Sequence, residues 1–369
     1  MLLFLAAVAS VYLIMQLFLF YSWKRSADIN IAAEDLPHVT VSIVIPVRNE
    51  ETNILDCIQA LLRQKFPAED YEIIVINDHS TDHTRKKVET VPKVKIIDLP
   101  EGVFGKKEAL IRGINEANGE IILTTDGDCI VGENWVVSMV GTLIGKSVDL
   151  VTGPIVLTRQ NQNRFIEYYQ QLEQASLNVL TSGGIKSKLM YSSNGANMGF
   201  LKSFYKQVQP YEDNVDIPSG DDVFFIQKGK LEEGRITFVK SRDAIAYTPA
   251  LTSFESFLNQ RLRWGGKAKA YRHLGTKFYL GTFLTFLFIF LIFLLLSIGL
   301  QDARSVFLYL IISKLLADYM VIRSGMRWVK QKYVWTDIVK ASYFQILYSY
   351  IIMYRLIVGM NYKWKGRKG

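Results

Sequence analysis

Cysteine is almost absent from this chain: Cys57 and Cys129 are the only two among 369 residues. They form no metal-ligand spacing, and so sparse a use of cysteine suits a reducing, cytoplasmic setting. No Gly-x-Gly-x-x-Gly follows the first β-type run, which removes the main support for a dinucleotide-binding Rossmann domain. Internal repeats and low-complexity tracts are missing as well. The apolar run Leu2–Tyr21 has no Lys or Arg before it and no small-x-small cleavage site after it. It therefore reads as a signal anchor with its C-terminal side in the cytoplasm, where Lys24 and Arg25 follow, and not as a removable leader.

Apolar residues, by contrast, are plentiful: 49% of the chain is hydrophobic, and the mean hydropathy is positive. Leu2–Tyr21 and Phe278–Leu300 each exceed the roughly 18 residues that mark a membrane span. Two weaker runs, about Val306–Ile322 and Ala341–Met360, carry Lys314, Asp318 and Arg355. The net charge of +8 is concentrated beside these runs, at Lys24, Arg25, Arg323, Arg327, Lys330, Lys332, Lys363, Lys365, Arg367 and Lys368. That distribution fits contact with anionic membrane lipid; a nucleic-acid partner would need a basic soluble face. If all three late segments span, the tail from Lys363 to Lys368 lies outside, against the positive-inside tendency, so one of them is expected to be re-entrant or interfacial.

Between the apolar ends lies an alternation of strands and helices. Strands are expected at Val39–Pro46, Tyr71–Ile76, Val94–Leu99 and Gly119–Thr124, with helices at Asn49–Gln64, Thr81–Val91 and Lys106–Ala117. This order predicts an α/β fold with an open, mostly parallel central sheet. Further on, Asp149–Leu157 reads as one strand. Asn163–Leu180 reads as an amphipathic helix with Phe165, Tyr168, Tyr169, Leu172 and Leu177 on one side, suited either to a core or to a membrane interface.

The chemistry-bearing stretch is Thr124-Thr125-Asp126-Gly127-Asp128 at the end of the fourth strand. Ligands of open α/β sheets bind beyond the carboxyl ends of strands. Mg²⁺ and Mn²⁺ prefer carboxylate oxygens and share such sites with substrate phosphates. An Asp-x-Asp there points to a metal that holds a diphosphate, although Asp-Gly-Asp is also a common turn. Four further stretches join it: Ile45-Pro46-Val47-Arg48-Asn49-Glu50, Val75-Ile76-Asn77-Asp78-His79-Ser80-Thr81-Asp82, Gly220-Asp221-Asp222 and Gln260-Arg261-Leu262-Arg263-Trp264.

In order and spacing these motifs resemble the inverting family 2 glycosyltransferases, which have the GT-A fold; the resemblance covers roughly Val39 to Lys267. It implies a nucleotide-sugar donor, with Asp78 on the base and Pro46, Arg48 and Glu50 lining the same pocket. A cap on the next helix is the other role open to Asp78, beside the favoured contact with the base. His79 stands where the commoner pattern has a turn glycine. Gly105-Lys106 matches a Gly-Lys that approaches the nucleotide, and Asp126 and Asp128 match the acids that position the metal and the diphosphate-ribose. Asp222 takes the place of the base that activates the acceptor, with Asp221 orienting it, and Ser192–Met198 matches an acceptor-side loop. Arg263 would support the departing diphosphate and Trp264 form an acceptor wall, with Gln260 on the same helix face as Arg263.

The implied domains are a transmembrane anchor over 1–22, a linker over 23–37, a cytoplasmic GT-A domain over 38–273, and a membrane region over 274–369 with about three hydrophobic segments. The expected cofactor is Mg²⁺ or Mn²⁺, the donor a UDP-sugar, and the location the bacterial inner membrane. The layout is similar to lipid glycosyltransferases of the ceramide glucosyltransferase kind, which implies a lipid acceptor. It is also similar to small hyaluronan, chitin or poly-N-acetylglucosamine synthases, which implies a glycan acceptor, although those generally carry more spans. A silent binding scaffold is the third reading.

Overall fold

The β-branched runs form strands where expected. In the computed structural model β1 covers Val41–Val47, β2 Tyr71–Asn77, β3 Val94–Asp98 and β4 Ile121–Thr124. The structure describes residues 2–29, 31–32, 36–162, 164–214 and 220–360, and the backbone of 363–364 and 367–368. Positions 33–35 of the expected linker, the Asn163 start of the expected helix and the tail residue Lys365 lie outside the described residues.

Three further strands, β6 (Leu150–Thr152), β8 (Met198–Leu201) and β9 (Ile236–Phe238), complete a seven-stranded sheet in the order β3-β2-β1-β4-β8-β6-β9. Only β8 runs antiparallel to its neighbours. Register decides where the motifs emerge. Val47 pairs with Asn77 and Asn77 with Asp98, so β1, β2 and β3 end level. Thr124 pairs with Val44, so β4 stops three residues short and its Asp-x-Asp turn runs beside the end of β1. Helices α2 (Ile54–Leu62), α3 (Thr84–Glu89), α4 (Lys106–Glu116) and α5 (Trp135–Gly145) belong to the same unit. The core contains Ile43, Ile45, Ile54, Leu123, Trp135 and Met139, all fully buried.

The expected single strand over 149–157 is two. β7 (Ile155–Thr158) leaves the main sheet and joins β5 (Ile130–Val131) and β10 (Ala246–Pro249) in a three-stranded sheet. The break falls at Gly153-Pro154. Proline has no N–H for a ladder, and a Cβ on Gly153 would meet the side-chain amide of Asn197.

A second compact unit gathers α1 (Leu2–Lys24), α6 (Phe165–Ser187), α9 (Phe254–Lys267), α10 (Leu274–Leu296), α11 (Gln301–Trp328) and α12 (Trp335–Ile357). Residues 161–191 and 251–273, read from the sequence as part of one domain over 38–273, thus cluster with the apolar helices. The cause lies in α6, whose neighbours include α1 and α11. Small residues allow the close approach: Gly183 of α6 sits on the backbone of Leu19, and Gly325 of α11 on that of Ala175. Nor is α6 apolar on one side only, since Glu167, Gln170, Gln171, Glu173, Gln174 and Asn178 are buried with Tyr169 and Leu172. Among the described residues three helices, α1, α10 and α11, are long and apolar enough to cross a membrane. In α12 the buried residues Ile338, Ala341, Ser342, Ile346 and Ser349 recur at helical spacing, while Tyr343, Leu347 and Tyr354 are exposed.

A polar cluster lies among these helices. Lys314 and Asp318, one turn apart on α11, form an ion pair of 2.5 Å and are almost fully buried. Gln16 of α1 donates to Asp318 Oδ1 at 3.0 Å, and Lys314 donates to Gln345 Oε1 of α12 at 2.8 Å.

Candidate active site

Local chain geometry first ties the ends of β1 and β2 together. Asn49, beyond β1, takes a positive φ of 54°, a conformation asparagine tolerates. Its N–H donates to Ser80 Oγ at 3.0 Å, and its Oδ1 accepts from Thr81 N at 2.8 Å. Glu50 N donates to Thr84 Oγ1 at 2.7 Å. The Arg48 guanidinium donates to the carbonyls of Asp78 and His79 at 2.8 and 3.2 Å and lies 3.9 Å from Asp78 Oδ1. His79 itself has φ 52°, so it adopts the left-handed turn that the glycine of the commoner pattern would supply.

Asp78 does not cap the following helix. His83 stands at its N-cap position, and Asp82 Oδ1 accepts from Thr84 N at 2.9 Å. The buried Asp78 carboxylate instead accepts from Gly105 N at 3.1 Å and faces His79 Nδ1 at 3.2 Å. Gly105 has φ 109°, where a side chain would be strained, and it directs the chain into α4. Gly105 thereby meets Asp78 through its backbone, while the next residue, Lys106, turns its side chain elsewhere.

Lys106 Nζ lies 2.6 Å from Asp126 Oδ1 and 3.7 Å from Asp221 Oδ2. Burial alone would lower the pKa of this ammonium, but Asp126 and then Asp221 outweigh it and hold the pKa above lysine's ordinary value. Asp221 and Asp222 form the first turn of α8 (Asp221–Leu231), where the helix dipole favours acids. Asp222 accepts from Val223 N at 2.7 Å and from Gly195 N at 3.2 Å. Gly195 O accepts in turn from Thr124 Oγ1 at 3.1 Å. The loop 192–198 therefore joins Asp222 to the strand that carries the Asp-x-Asp.

The Asp-x-Asp turn is closed by Cys129 N donating to Asp126 O at 3.0 Å. Gly127 is required between the acids, because a Cβ there would fall 2.8 Å from Val47 Cγ1 and 3.2 Å from Glu50 Cγ. Asp126 and Asp128 are each partly exposed. Among the described residues no three His, Cys, Asp or Glu side chains converge as a metal site. Two hard carboxylates suit Mg²⁺ or Mn²⁺ only if phosphate or water completes the coordination, the usual habit of Mg²⁺. The two cysteines back this turn. Cys57 Sγ donates to Asp126 O at 3.5 Å, and Cys129 Sγ lies 3.7 Å from Asp128 Oδ1. Burial, then the Asp128 and Asp126 carboxylates, push both thiols up, so they stay protonated.

Pro46, Arg48, Glu50, Asp78, Lys106, Asp126, Asp128, Asp221 and Asp222 thus all belong to the α/β unit, while Gln260, Arg263 and Trp264 are half-buried residues of α9 in the helical unit. Asn197 escaped the sequence reading although it lies in a quoted stretch. Its fully buried amide accepts from Trp135 Nε1 at 3.0 Å and donates to Pro154 O and Ala244 O at 2.8 and 2.7 Å. Those partners are 43 to 62 residues away, so no local pattern marks them. Asn197→Ala strands three buried polar groups and should cost about 3 kcal/mol of stability, read by thermal or urea unfolding in detergent.

The glycosyl transferase family 2 model matches residues 42–208, the segment that carries the Asp-x-Asp turn and most of its surroundings. Residues 42–208 are therefore a family 2 glycosyltransferase domain. The transferase is 27% identical over 231 residues to Glycosyltransferase AglE of Haloferax volcanii, covering 61% of this chain and 71% of that one. It is 30% identical over 93 residues to the undecaprenyl-phosphate 4-deoxy-4-formamido-L-arabinose transferase of Proteus mirabilis, covering 24% of this chain and 28% of that one. The solved mannosyltransferase of Pyrobaculum calidifontis, in complex with GDP-Man and Mn²⁺, superposes with a TM-score of 0.59 at 19% identity. That superposition covers 95% of the transferase and 99% of the solved chain, and it gives the same mixed α/β, GT-A-like fold.

Proposed function

We propose that the enzyme moves a sugar from a nucleotide-diphosphate sugar, a UDP-sugar, to a membrane lipid acceptor with inversion at the anomeric carbon. One observation carries this reading: Asp126 of the Asp-x-Asp turn and Asp221 of the Gly-Asp-Asp turn meet around Lys106. A donor-side carboxylate thereby stands next to the acceptor-side pair, as a single displacement between donor and acceptor needs. Asp78, with Pro46, Arg48 and Glu50, lines the nucleotide pocket. Asp126 and Asp128 would hold Mg²⁺ or Mn²⁺, which when bound offsets the charge growing on the leaving diphosphate. Asp222 takes the proton from the acceptor hydroxyl as it attacks. Arg263 donates to the diphosphate, and Gln260 and Trp264 bound the acceptor side.

The lipid acceptor is supported by the three helices long and apolar enough to cross a membrane and by the undecaprenyl-phosphate in the name of the P. mirabilis relative. The catalytic unit then faces the cytoplasm, where nucleotide-sugars are made, at the bacterial inner membrane, with the basic residues Lys24 and Arg25 on the same side.

The test is incubation of the purified protein in lipid with a panel of radiolabelled nucleotide-sugars and membrane extract. A discrete lipid product on thin-layer chromatography is expected; an immobile polymer would mark a synthase, and no product from any donor would reject transfer. Arg263→Ala should weaken UDP binding about ten- to hundred-fold, the worth of one charge-assisted hydrogen bond. Arg263→Lys should restore only part of this, because an ammonium lacks the guanidinium fork. Calorimetric titration with UDP and metal reads both.

A further inference from the structure

The Gln-x-x-Arg-Trp pattern leaves one ionisable residue without a part. Arg261 falls at an unspecified position of that motif, yet its side chain is buried. One arm of its guanidinium pairs with Glu173 of α6, and another donates to Gln260 Oε1. Its Cζ lies over two rings of its own helix, 4.4 Å from the Phe257 centroid and 4.2 Å from that of Trp264. Glu173 is equally enclosed. Its Oε1 accepts from Tyr348 of α12 at 2.6 Å and from Tyr169 at 3.1 Å. One carboxylate thus joins three helices, and the arginine it holds touches two motif residues, Gln260 and Trp264.

A buried ion pair is a poor source of stability, because desolvation cancels most of its attraction. What it does supply here is geometry. With Gln260 Oε1 engaged by Arg261, the amide orientation is set and its NH₂ end is the one offered elsewhere. With the guanidinium against the indole, the plane of Trp264 is set as well. Lysine would supply the charge but neither the second arm nor the flat face.

We propose that Arg261 and Glu173 are positioning residues that orient Gln260 and Trp264 toward the acceptor. The inference rests on the proposed acceptor-side role of those two residues. Neither Arg261 nor Glu173 touches substrate; both act through the motif side chains they hold.

The test uses the full-length enzyme in lipid and compares Arg261→Lys and Tyr348→Phe with Gln260→Ala and Trp264→Ala. Arg261→Lys should keep its melting temperature within a few degrees and bind UDP as the wild type does. Its kcat should nevertheless fall about ten- to a hundred-fold, the usual consequence of a misplaced but intact group. Tyr348→Phe removes one hydroxyl from Glu173 and should give a smaller loss in the same direction, which keeps the proposal testable if Arg261→Lys does not fold. Loss of transfer in Gln260→Ala and Trp264→Ala with full kcat in Tyr348→Phe, and in Arg261→Lys if that variant folds, overturns the positioning role alone. Full transfer in Gln260→Ala and Trp264→Ala overturns the acceptor-side reading beneath it. A fall in UDP affinity in Arg261→Lys as large as the fall in kcat puts the hub on the donor side and also overturns the proposal.

Discussion

Asp128→Asn should leave a folded enzyme that transfers sugar at least about 10³-fold more slowly, since charge compensation at a leaving diphosphate is worth several kcal/mol and each 1.4 kcal/mol is tenfold in rate. The substitution is nearly isosteric, and the turn around it is closed by another group, Cys129 N on Asp126 O. Only the carboxylate charge is lost. EDTA should stop the wild type, and Mg²⁺ or Mn²⁺ should restore it, while neither changes the mutant. The check is the initial rate with radiolabelled donor beside a melting curve. Full activity of the wild type in EDTA would remove the metal from the reading.

Asp222→Asn should also fail, but at a different step. A general base contributes about 10²- to 10⁴-fold, so transfer should fall by that factor while UDP binding is retained. The side chain is anchored on Val223 N and Gly195 N, and an asparagine oxygen can keep one of these hydrogen bonds but cannot accept the acceptor proton. Titration calorimetry and a transfer assay on the same sample separate the two effects. If Asp222→Asn loses UDP binding while Arg263→Ala keeps it, donor and acceptor sides have been exchanged.

The sheet and its acids were legible because they depend on short-range patterns. Apart from Ser42, Val41–Val47 and Ile121–Thr124 are β-branched or apolar throughout their length, and the acids follow at strand ends whatever the rest of the chain does. Other features answer to distant partners. The division of 149–157 depends on Asn197, which occupies the space beside Gly153. The left-handed turn at His79 is held by Arg48 on its carbonyl, 31 residues earlier. Glu173 lies off the apolar side named for that helix, and its burial follows from Arg261, 88 residues on, and Tyr348 being brought to it. The resemblance implies that Lys106 approaches the nucleotide, while its place between Asp126 and Asp221 follows from the strand register that sets β4 back from β1.

The polar cluster of Lys314, Asp318, Gln16 and Gln345 bears on how the protein is made. An ion pair is expensive in a bilayer unless neighbours share its charge. Here one neighbour lies on the helix nearest the N-terminus and the other on α12. Gln16 precedes α11 in the chain and Gln345 follows it, so the pair has its full set of partners only once all three helices have been made. A heterologous anchor of equal length and hydropathy but without glutamine at position 16 would still hold the chain at a membrane. It would leave Asp318 without the Gln16 amide, and the fault would be seen as looser packing of α1 on α11 and greater protease sensitivity, not as a loss of catalytic groups.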